Sequence, residues 1–208
     1  MNDAKTPASA AIAEQAAASR DELARFLDDS RHSFEFRVPC GPEERIDYIY
    51  SIVLPGWRKV RFYRDFLLCR LAKAVDYSPI KVLLYRLAGF RIGRGVFISP
   101  DVLLDPHFPS LIEIGDHAII GWGTHLFAHE FDGRRYRLGR IRVGAGAVLG
   151  AFCVVRGGVT IGENASIPST YIVFRDVPAN CNPGGGEARF SRTLLRAFRE
   201  ERSAEHPV

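Results

Sequence analysis

Aliphatic side chains recur at every sixth position between residues 143 and 178. Six consecutive hexads, VGAGAV, LGAFCV, VRGGVT, IGENAS, IPSTYI and VFRDVP, open at Val143, Leu149, Val155, Ile161, Ile167 and Val173. An α-helix needs apolar residues every three or four positions and a half-buried strand needs strict alternation, so a period of six fits neither. The pattern predicts a hexapeptide β-helix. Each hexad would form one flat face of a triangular coil, with its opening residue pointing inward and small residues or Gly at the corners.

The same frame extends toward the N-terminus with two interruptions. Its earlier hexads open at Ile92, Ile98, Leu104, Ile114, Ile120 and Leu126. Because three hexads close one coil, new coils begin at residues 92, 114, 143 and 161, and we expect about four coils. Both interruptions, inside residues 108–113 and 131–142, follow a third face and therefore lie on the same edge of the β-helix.

The chain on either side of the repeat predicts helices. Residues 1–40 are Ala-rich at the start and we expect them to be flexible, with a short helix around residues 21–27. Residues 41–90 predict an α-helical cap, including a helix with the apolar stripe Tyr63, Phe66, Leu67, Leu71 and Ala74, and a further helix capped by Ser78 with Pro79 at its first turn. We expect the apolar stripe to pack on the open end of the β-helix. Residues 91–183 form the β-helix, and 184–208 a short C-terminal helix and tail.

Two histidines share one edge of the predicted coils. His107 and His129 each hold the fourth place of a third-face hexad, next to an interruption. Stacked coils would separate them by roughly 4.8 Å, one strand spacing. A single histidine here is expected to be a solvated turn residue. Two histidines beside two loops predict a functional site.

The motifs of this repeat resemble a known family. LIEIGDHAIIGWGTHLFAHEFD, RIRVGAGAVLGAFCVVRGGVTIGENASI and VFRDVPANCNP look like the hexapeptide-repeat acyltransferases of the maltose, galactoside and nodulation O-acetyltransferase type. The tail motif is matched by Arg175, Asp176, Val177, Pro178, Asn182 and Pro183, with Cys181 where the family has Gly. The resemblance covers residues 91 to about 185. It implies a left-handed β-helix, a homotrimer and an acyl-CoA-dependent O-acetyltransferase.

The resemblance also implies roles for particular residues. A histidine just before an extruded loop is the family's catalytic base, and His129 holds that place with Glu130 beside it. The acceptor on its second ring nitrogen stays open among Glu130, Asp132 and a main-chain carbonyl. Coenzyme A is expected in the groove toward the last coil. The candidates are Gly150, Arg156 and Arg175 for acetyl-CoA, and His107, Asp101, Trp122 and Asp132 for a sugar or another small hydroxyl or amine acceptor. The family often has Asn in the hexad that here reads ISPDVL, so the acceptor is open.

Charge is concentrated before the repeat. Residues 58–94 hold ten basic residues against two acidic ones, whereas the 208-residue chain has a net charge of +4. This segment predicts either a solvated cap or peripheral contact with an anionic membrane surface or an acidic substrate. No nucleic-acid-binding motif accompanies the charge. We expect neither a signal peptide nor a spanning segment, and four scattered cysteines predict reduced thiols in the cytoplasm.

Two alternatives share the predicted fold. A γ-type carbonic anhydrase needs three histidines on zinc, and His107, His117, His125 and His129 are close in sequence. Only His107 and His129 share an edge, so a third ligand would come from another subunit and we expect no metal. A non-catalytic β-helix scaffold is the other alternative. The loop, the histidine before it and the tail motif favour an enzyme.

Overall fold

The computed structural model describes residues 7–39, 45–53, 56 and 58–183. Four helices precede the repeat: α1 (Pro7–Asp28), α2 (Arg45–Val53), α3 (Arg58–Ala74) and α4 (Ser78–Leu87). A strand, β1 (Ser33–Arg37), lies between α1 and α2. The C-terminal helix predicted after residue 184 lies outside the described residues. Within the described part, no helix combines the length and apolar character needed to span a bilayer.

Twelve short strands form the coils of the repeat. The first coil has β2 (Arg91–Ile92), β3 (Phe97–Ile98) and β4 (Leu103–Leu104); the second has β5 (Ile112–Ile114), β6 (Ile119–Ile120) and β7 (His125–Phe127). The third has β10 (Ile141–Val143), β11 (Val148–Leu149) and β12 (Val154–Arg156); the fourth has β13 (Val159–Ile161), β14 (Ser166–Ile167) and β15 (Ile172–Val173). Equivalent strands pair in parallel to make three four-stranded sheets. The predicted left-handed parallel β-helix of four coils is confirmed.

The register of the sheets follows the hexad frame. On the first face Ile92 pairs with Ile114, which pairs with Val143, which pairs with Ile161. These openers, and those of the other two faces, are buried along the bore of the β-helix. Stacking aliphatic side chains of successive coils removes them from water, and this contributes most of the stability of such a repeat.

The first two corners of each coil use the fourth hexad position in a left-handed conformation. The φ angles there lie between 54° and 65°, and the residues are Gly95, Asp101, His117, Gly123, Gly146, Phe152, Asn164 and Thr170. Glycine at the second hexad position allows the backbones of successive coils to stack closely. A Cβ on Gly115, for example, would lie 2.6 Å from the backbone nitrogen of Ala145 on the next coil.

Helix α4 caps the open end of the first coil, as predicted. Its side chains bond the backbone groups of coil one that have no neighbouring coil. Tyr85 donates to the carbonyl of Val102 at 2.9 Å and Lys81 to that of Ser99 at 3.1 Å. Ser78 was predicted to cap the helix, but it makes no cap hydrogen bond, and its hydroxyl accepts from the Ile98 N–H at 2.9 Å.

The apolar stripe of α3 does not pack on the β-helix, so that prediction is wrong. Tyr63, Leu67 and Leu71 are exposed, while Asp65, Cys69 and Ala72 on the opposite side of the helix are buried. The inner side is built from smaller residues that pack closely against α4. The stripe is therefore left facing solvent.

The prediction of a flexible segment over residues 1–40 is also wrong for its described part. Leu23 and Phe26 of α1 are fully buried, and β1 alternates exposed and buried residues. The second interruption folds as a hairpin of β8 (His129–Phe131) and β9 (Arg135–Gly139), and β1 adds to it as an antiparallel third strand. The alternation in SFEFR carried this signal, since its two phenylalanines point to the same side.

Candidate active site

One buried carboxylate joins the two histidines. Asp105 follows the last strand of coil one, and its side chain is fully buried between His107 and His129. Its Oδ2 lies 2.5 Å from Nδ1 of His129, and its Oδ1 lies 3.3 Å from Nδ1 of His107. The imidazole rings are 4.5 Å apart between centroids, close to the one-coil separation expected from the sequence.

Backbone donors complete the surroundings of this carboxylate. Asp105 accepts from the N–H groups of His107, Ala128 and His129 at 3.0, 3.0 and 3.1 Å. Burial alone would raise the pKa of Asp105, but the hydrogen bonds from His107 and His129 hold that pKa far below its usual value. Asp105 is therefore an anion that fixes Nδ1 of His129 as a donor. Nε2 of His129 is left as the ring nitrogen that can accept a proton.

Aromatic rings hold His129 in place. Tyr136 of β9 stacks on it with centroids 5.6 Å apart and an angle of 11° between planes. Phe36 of β1 stacks on the other side of Tyr136 at 5.2 Å. Burial raises the pKa of Tyr136, so its phenol is neutral at any physiological pH. Phe62 of α3 contacts His107 at 4.8 Å between centroids.

Neither carboxylate proposed as the partner of His129 holds that place. Glu130 bonds Arg156 through its Oε2, 2.8 Å from Nε of the arginine. Asp132 accepts from the N–H groups of Arg134 and Arg135 in the hairpin turn, and these bonds lower its pKa. Side chains alternate along a strand, so Glu130 points away from the face that His129 occupies. The structure assigns the role to Asp105.

Asp101 and Trp122 are not near the histidines of the same chain. The indole N–H of Trp122 donates to Asp101 at 3.1 Å, and Lys73 lies 3.8 Å from the same carboxylate. Both residues stand where the third face begins, whereas His107 and His129 stand where it ends. Trp122 and His129 are separated by the corner at Gly123 and by the third face, whose residues 124–129 extend over roughly 17 Å.

A cavity of about 390 Å³ lies beside the hairpin. Its lining includes Glu130, Arg137, Arg156, Gly157, Gly158 and Phe174. Gly139, at the end of the hairpin, packs against the Gly157–Gly158 backbone so closely that no Cβ fits there. The exposed Arg175 extends over the ring of Phe174 at 5.4 Å. The structure thus brings two predicted cofactor contacts, Arg156 and Arg175, to the cavity or its rim.

Gly150 has a different environment from the one predicted. Its N–H donates to Ile167 at 2.8 Å, and its carbonyl accepts from the hydroxyl of Thr124 at 2.7 Å. The backbone of Ser169 on the next coil lies against its Cα. Gly150 is a close-packing position within the β-helix, and its N–H is not available to a cofactor.

The four neighbouring histidines do not converge. In the described part of the chain, one group has its potential ligand atoms within 4.8 Å of one another, and it consists of Asp105, His107 and His129. His117 turns the first corner of coil two and His125 lies on β7. The three-histidine arrangement of a γ-type carbonic anhydrase is absent from these described residues.

Sequence reasoning missed Asp105 and Tyr136. Asp105 carried a usable signal, because the hexad frame places it directly after the buried opener Leu104 and two residues before His107. Tyr136 carried a weaker one, since its contact with His129 depends on the register of the hairpin. That register pairs His129 with Leu138 and Phe131 with Tyr136.

Comparison with known proteins agrees with this fold. Residues 140–171 match the model of the bacterial transferase hexapeptide family. A putative acetyltransferase of Bacillus subtilis, YvoF, is 29% identical over 158 residues, covering 76% of this chain and 90% of the relative. A serine acetyltransferase of Helicobacter pylori is 37% identical over 105 residues, which is 49% of this chain and 56% of the relative.

A solved structure shares the architecture. A hexapeptide-repeat acetyltransferase of Vibrio cholerae, determined in complex with acetyl coenzyme A, superimposes with a TM-score of 0.52 at 22% identity and covers 62% of this chain and 84% of its own. The fold is thus a hexapeptide-repeat β-helix carrying a histidine–aspartate pair. The family model and the acetyltransferase relatives bear out the prediction of an acyltransferase of the hexapeptide-repeat type.

Proposed function

We propose that the protein transfers an acetyl group from acetyl-CoA to a hydroxyl group of a sugar or another small acceptor, with His129 as general base. The observation that carries this proposal is the bond between Nδ1 of His129 and the buried Asp105. An imidazole held in this tautomer presents Nε2 as the nitrogen that accepts a proton. The carboxylate behind it stabilises the imidazolium that forms during the reaction.

The chemistry follows from that geometry. Nε2 of His129 removes the proton from the acceptor hydroxyl as its oxygen attacks the thioester carbonyl carbon. The tetrahedral intermediate collapses by breaking the carbon–sulfur bond, and the imidazolium returns its proton to the leaving coenzyme A thiolate. Acetyl ester and free coenzyme A are the products. Asp105 stays ionised throughout and needs only to stabilise the transient cation.

The cavity beside the hairpin is the best candidate for part of the acetyl-CoA site. Arg156 and Arg175 supply cations for phosphate groups, and the Gly157–Gly158 backbone allows an extended chain to lie close. The cavity adjoins β8 on the side of Glu130, so the thioester would pass the edge of the strand to meet His129. Arg156 is held by Glu130, which would keep its guanidinium oriented.

We infer that the active unit is a homotrimer in the cytoplasm. Trp122 and Asp101 are exposed or half-exposed at the far edge of the third face, where they can serve an acceptor site only beside a neighbouring chain. The cysteines of the described residues are free thiols, which supports a reducing compartment.

Replacing the base tests the proposal. His129→Ala should lower turnover by about 10²–10⁴-fold while binding of coenzyme A changes little, because the cavity does not include the imidazole. His107→Ala is the matched control and should lower turnover much less, since its ring lies farther from Asp105. The measurement is coenzyme A release with a panel of acceptors, beside calorimetric binding of coenzyme A. Near wild-type turnover in His129→Ala would overturn the assignment.

A further inference from the structure

The outer sides of α3 and α4 form a continuous apolar surface. Its residues follow each other every three or four positions on each helix, and their exposed fractions run from 46% for Ile80 to 75% for Val60. We call this surface the α3–α4 face, and it consists of Val60, Tyr63, Leu67, Leu71, Ile80, Leu83 and Leu87. Single exposed apolar residues are common, but two aligned stripes on packed helices mark a surface that contacts something.

Cations border this surface on both sides. At about 100° per residue along α3, Arg61 and Arg64 lie on one side of the stripe, and Lys59 and Arg70 lie on the other. All four are exposed. The one acidic residue of α3, Asp65, is buried on the inner side and accepts from Arg64 at 2.8 Å. The outward side of α3 is therefore apolar at its centre and positive at both edges.

This distribution of apolar and positive side chains distinguishes between two partners that could cover the face, a second copy of the chain and an anionic bilayer. A second copy presenting the same face would bring cations against cations, with only Asp76 between the two helices to offset them. An anionic bilayer complements both parts, because the stripe can enter the headgroup boundary while Arg and Lys side chains extend to lipid phosphates. Tyr63 adds an amphipathic ring of the kind that favours this boundary. We propose that the α3–α4 face docks the enzyme on the surface of an anionic lipid bilayer.

Docking would also orient the catalytic pair. Phe62 lies on the inner side of α3, one residue before Tyr63, and its ring contacts His107. The histidines are thus separated from the docked surface by about 10 Å, the thickness of one helix with its side chains. An acceptor carried at the level of the lipid headgroups would be within reach of this edge of the enzyme.

Vesicle co-sedimentation of the full chain tests the proposal. The protein should sediment with vesicles of equal parts phosphatidylglycerol and phosphatidylcholine at low salt. Binding should fall by about tenfold or more on phosphatidylcholine alone or at high salt, because each exposed cation contributes electrostatic attraction. Absence of binding to the anionic vesicles at low salt would overturn the proposal.

Matched variants separate the bilayer from a second copy. The double variant Leu67→Glu with Leu83→Glu should lose vesicle binding while its circular dichroism and its mass by light scattering stay unchanged, because both side chains are exposed. Tyr50→Glu, at an exposed helical position outside the α3–α4 face, should bind as the wild type does. Unchanged vesicle binding by the double variant would refute the proposal. A lower mass for the double variant would show that another copy covers the face, and would refute it equally.

Discussion

The carboxylate of Asp105 is a buried charge whose burial is offset by its hydrogen bonds. Three backbone N–H groups and two imidazoles surround its carboxylate, so each oxygen has partners. An unpaired carboxylate at this depth would destabilise the fold strongly, whereas a fully bonded one fixes the positions of its neighbours. The same bonds that keep Asp105 ionised also select the tautomer of His129. Structural and catalytic roles are therefore inseparable at this residue.

The kinetic prediction at this scale concerns the tautomer. Asp105→Asn keeps the shape of the side chain but can place an N–H group against Nδ1 of His129, which favours the tautomer with its proton on Nε2. Turnover should fall by about 10²–10⁴-fold with the KM for acetyl-CoA nearly constant. Initial-rate kinetics over a range of acetyl-CoA concentrations measure both quantities. A change confined to KM would contradict the role given to Asp105.

The same substitution has a pH-dependent effect on stability. The pKa of Asp105 is lower in the folded protein than in the unfolded chain, so its carboxylate stabilises the fold above the unfolded value of about 3.9. That contribution is lost as the pH falls from about 4 toward the lower folded pKa. At pH 7, Asp105→Asn should reduce the free energy of unfolding by about 2–4 kcal/mol. Denaturant titrations should show the difference from wild type shrinking below pH 4, and a difference that grows on acidification would contradict this account.

At the scale of elements, the N-terminal segment and the hairpin form one unit. Strand β1 pairs with β9, and Phe36 supports the Tyr136 ring that stacks on His129. Arg140, directly after the hairpin, donates to the carbonyls of Phe26 and Asp29 at 2.8 and 2.6 Å, near the end of α1. A cation at this end of a helix satisfies carbonyls that lack helical partners. The base is thus positioned by residues more than ninety positions away.

Replacing Arg140 tests whether the N-terminal segment and the hairpin are coupled. Arg140→Ala should lower the free energy of unfolding by about 2–4 kcal/mol, since several charge-assisted bonds to buried carbonyls are lost. Amide hydrogen exchange in β1 and β9 should accelerate, and turnover should fall with it. Arg134→Ala, at an exposed position in the hairpin turn, is the control and should change neither quantity much. Unchanged exchange in β1 would show that the segment is held by other contacts.

At the scale of the whole molecule, apolar side chains remain on the outside of the coils. Trp122 and Phe152 project from the second corner at 53% and 60% exposure, and Ile172 and Phe174 from the last coil at 59% and 57%. A four-coil repeat buries its bore but not these side chains. Neighbouring copies packed side by side would cover them.

We therefore expect the purified protein to have three times the 23.2 kDa mass of one chain in light scattering at micromolar concentration. Trp122→Glu should shift the mass toward a single chain while the β-helix signal in circular dichroism remains. A single-chain mass for the wild type would exclude the homotrimer. In a single chain, Asp101 and Trp122 would also be too far from the histidines to share an active site with them.

The hexad frame predicted the β-helix well because each opener is fixed by one local rule. Ile92, Ile114 and Val143 pair in the register that a period of six requires. The frame also placed His107 beside His129. It contained no information on the hairpin register that brings Tyr136 to His129, or on which side of α3 faces inward. Those depend on packing between distant segments, where the small residues Cys69 and Ala72 are buried in preference to the larger Leu67 and Leu71.

The cap made by α4 has a consequence for how copies of the chain can assemble. A bare first coil would expose a row of unpaired strand groups on three sides, which is a template for the last coil of another molecule. Tyr85, Lys81 and Ser78 occupy some of these groups with side-chain bonds that an incoming strand would have to displace. Growth of coils from one molecule to the next is blocked at this end. Helix α4 therefore prevents the coils of different molecules from stacking end to end into a filament.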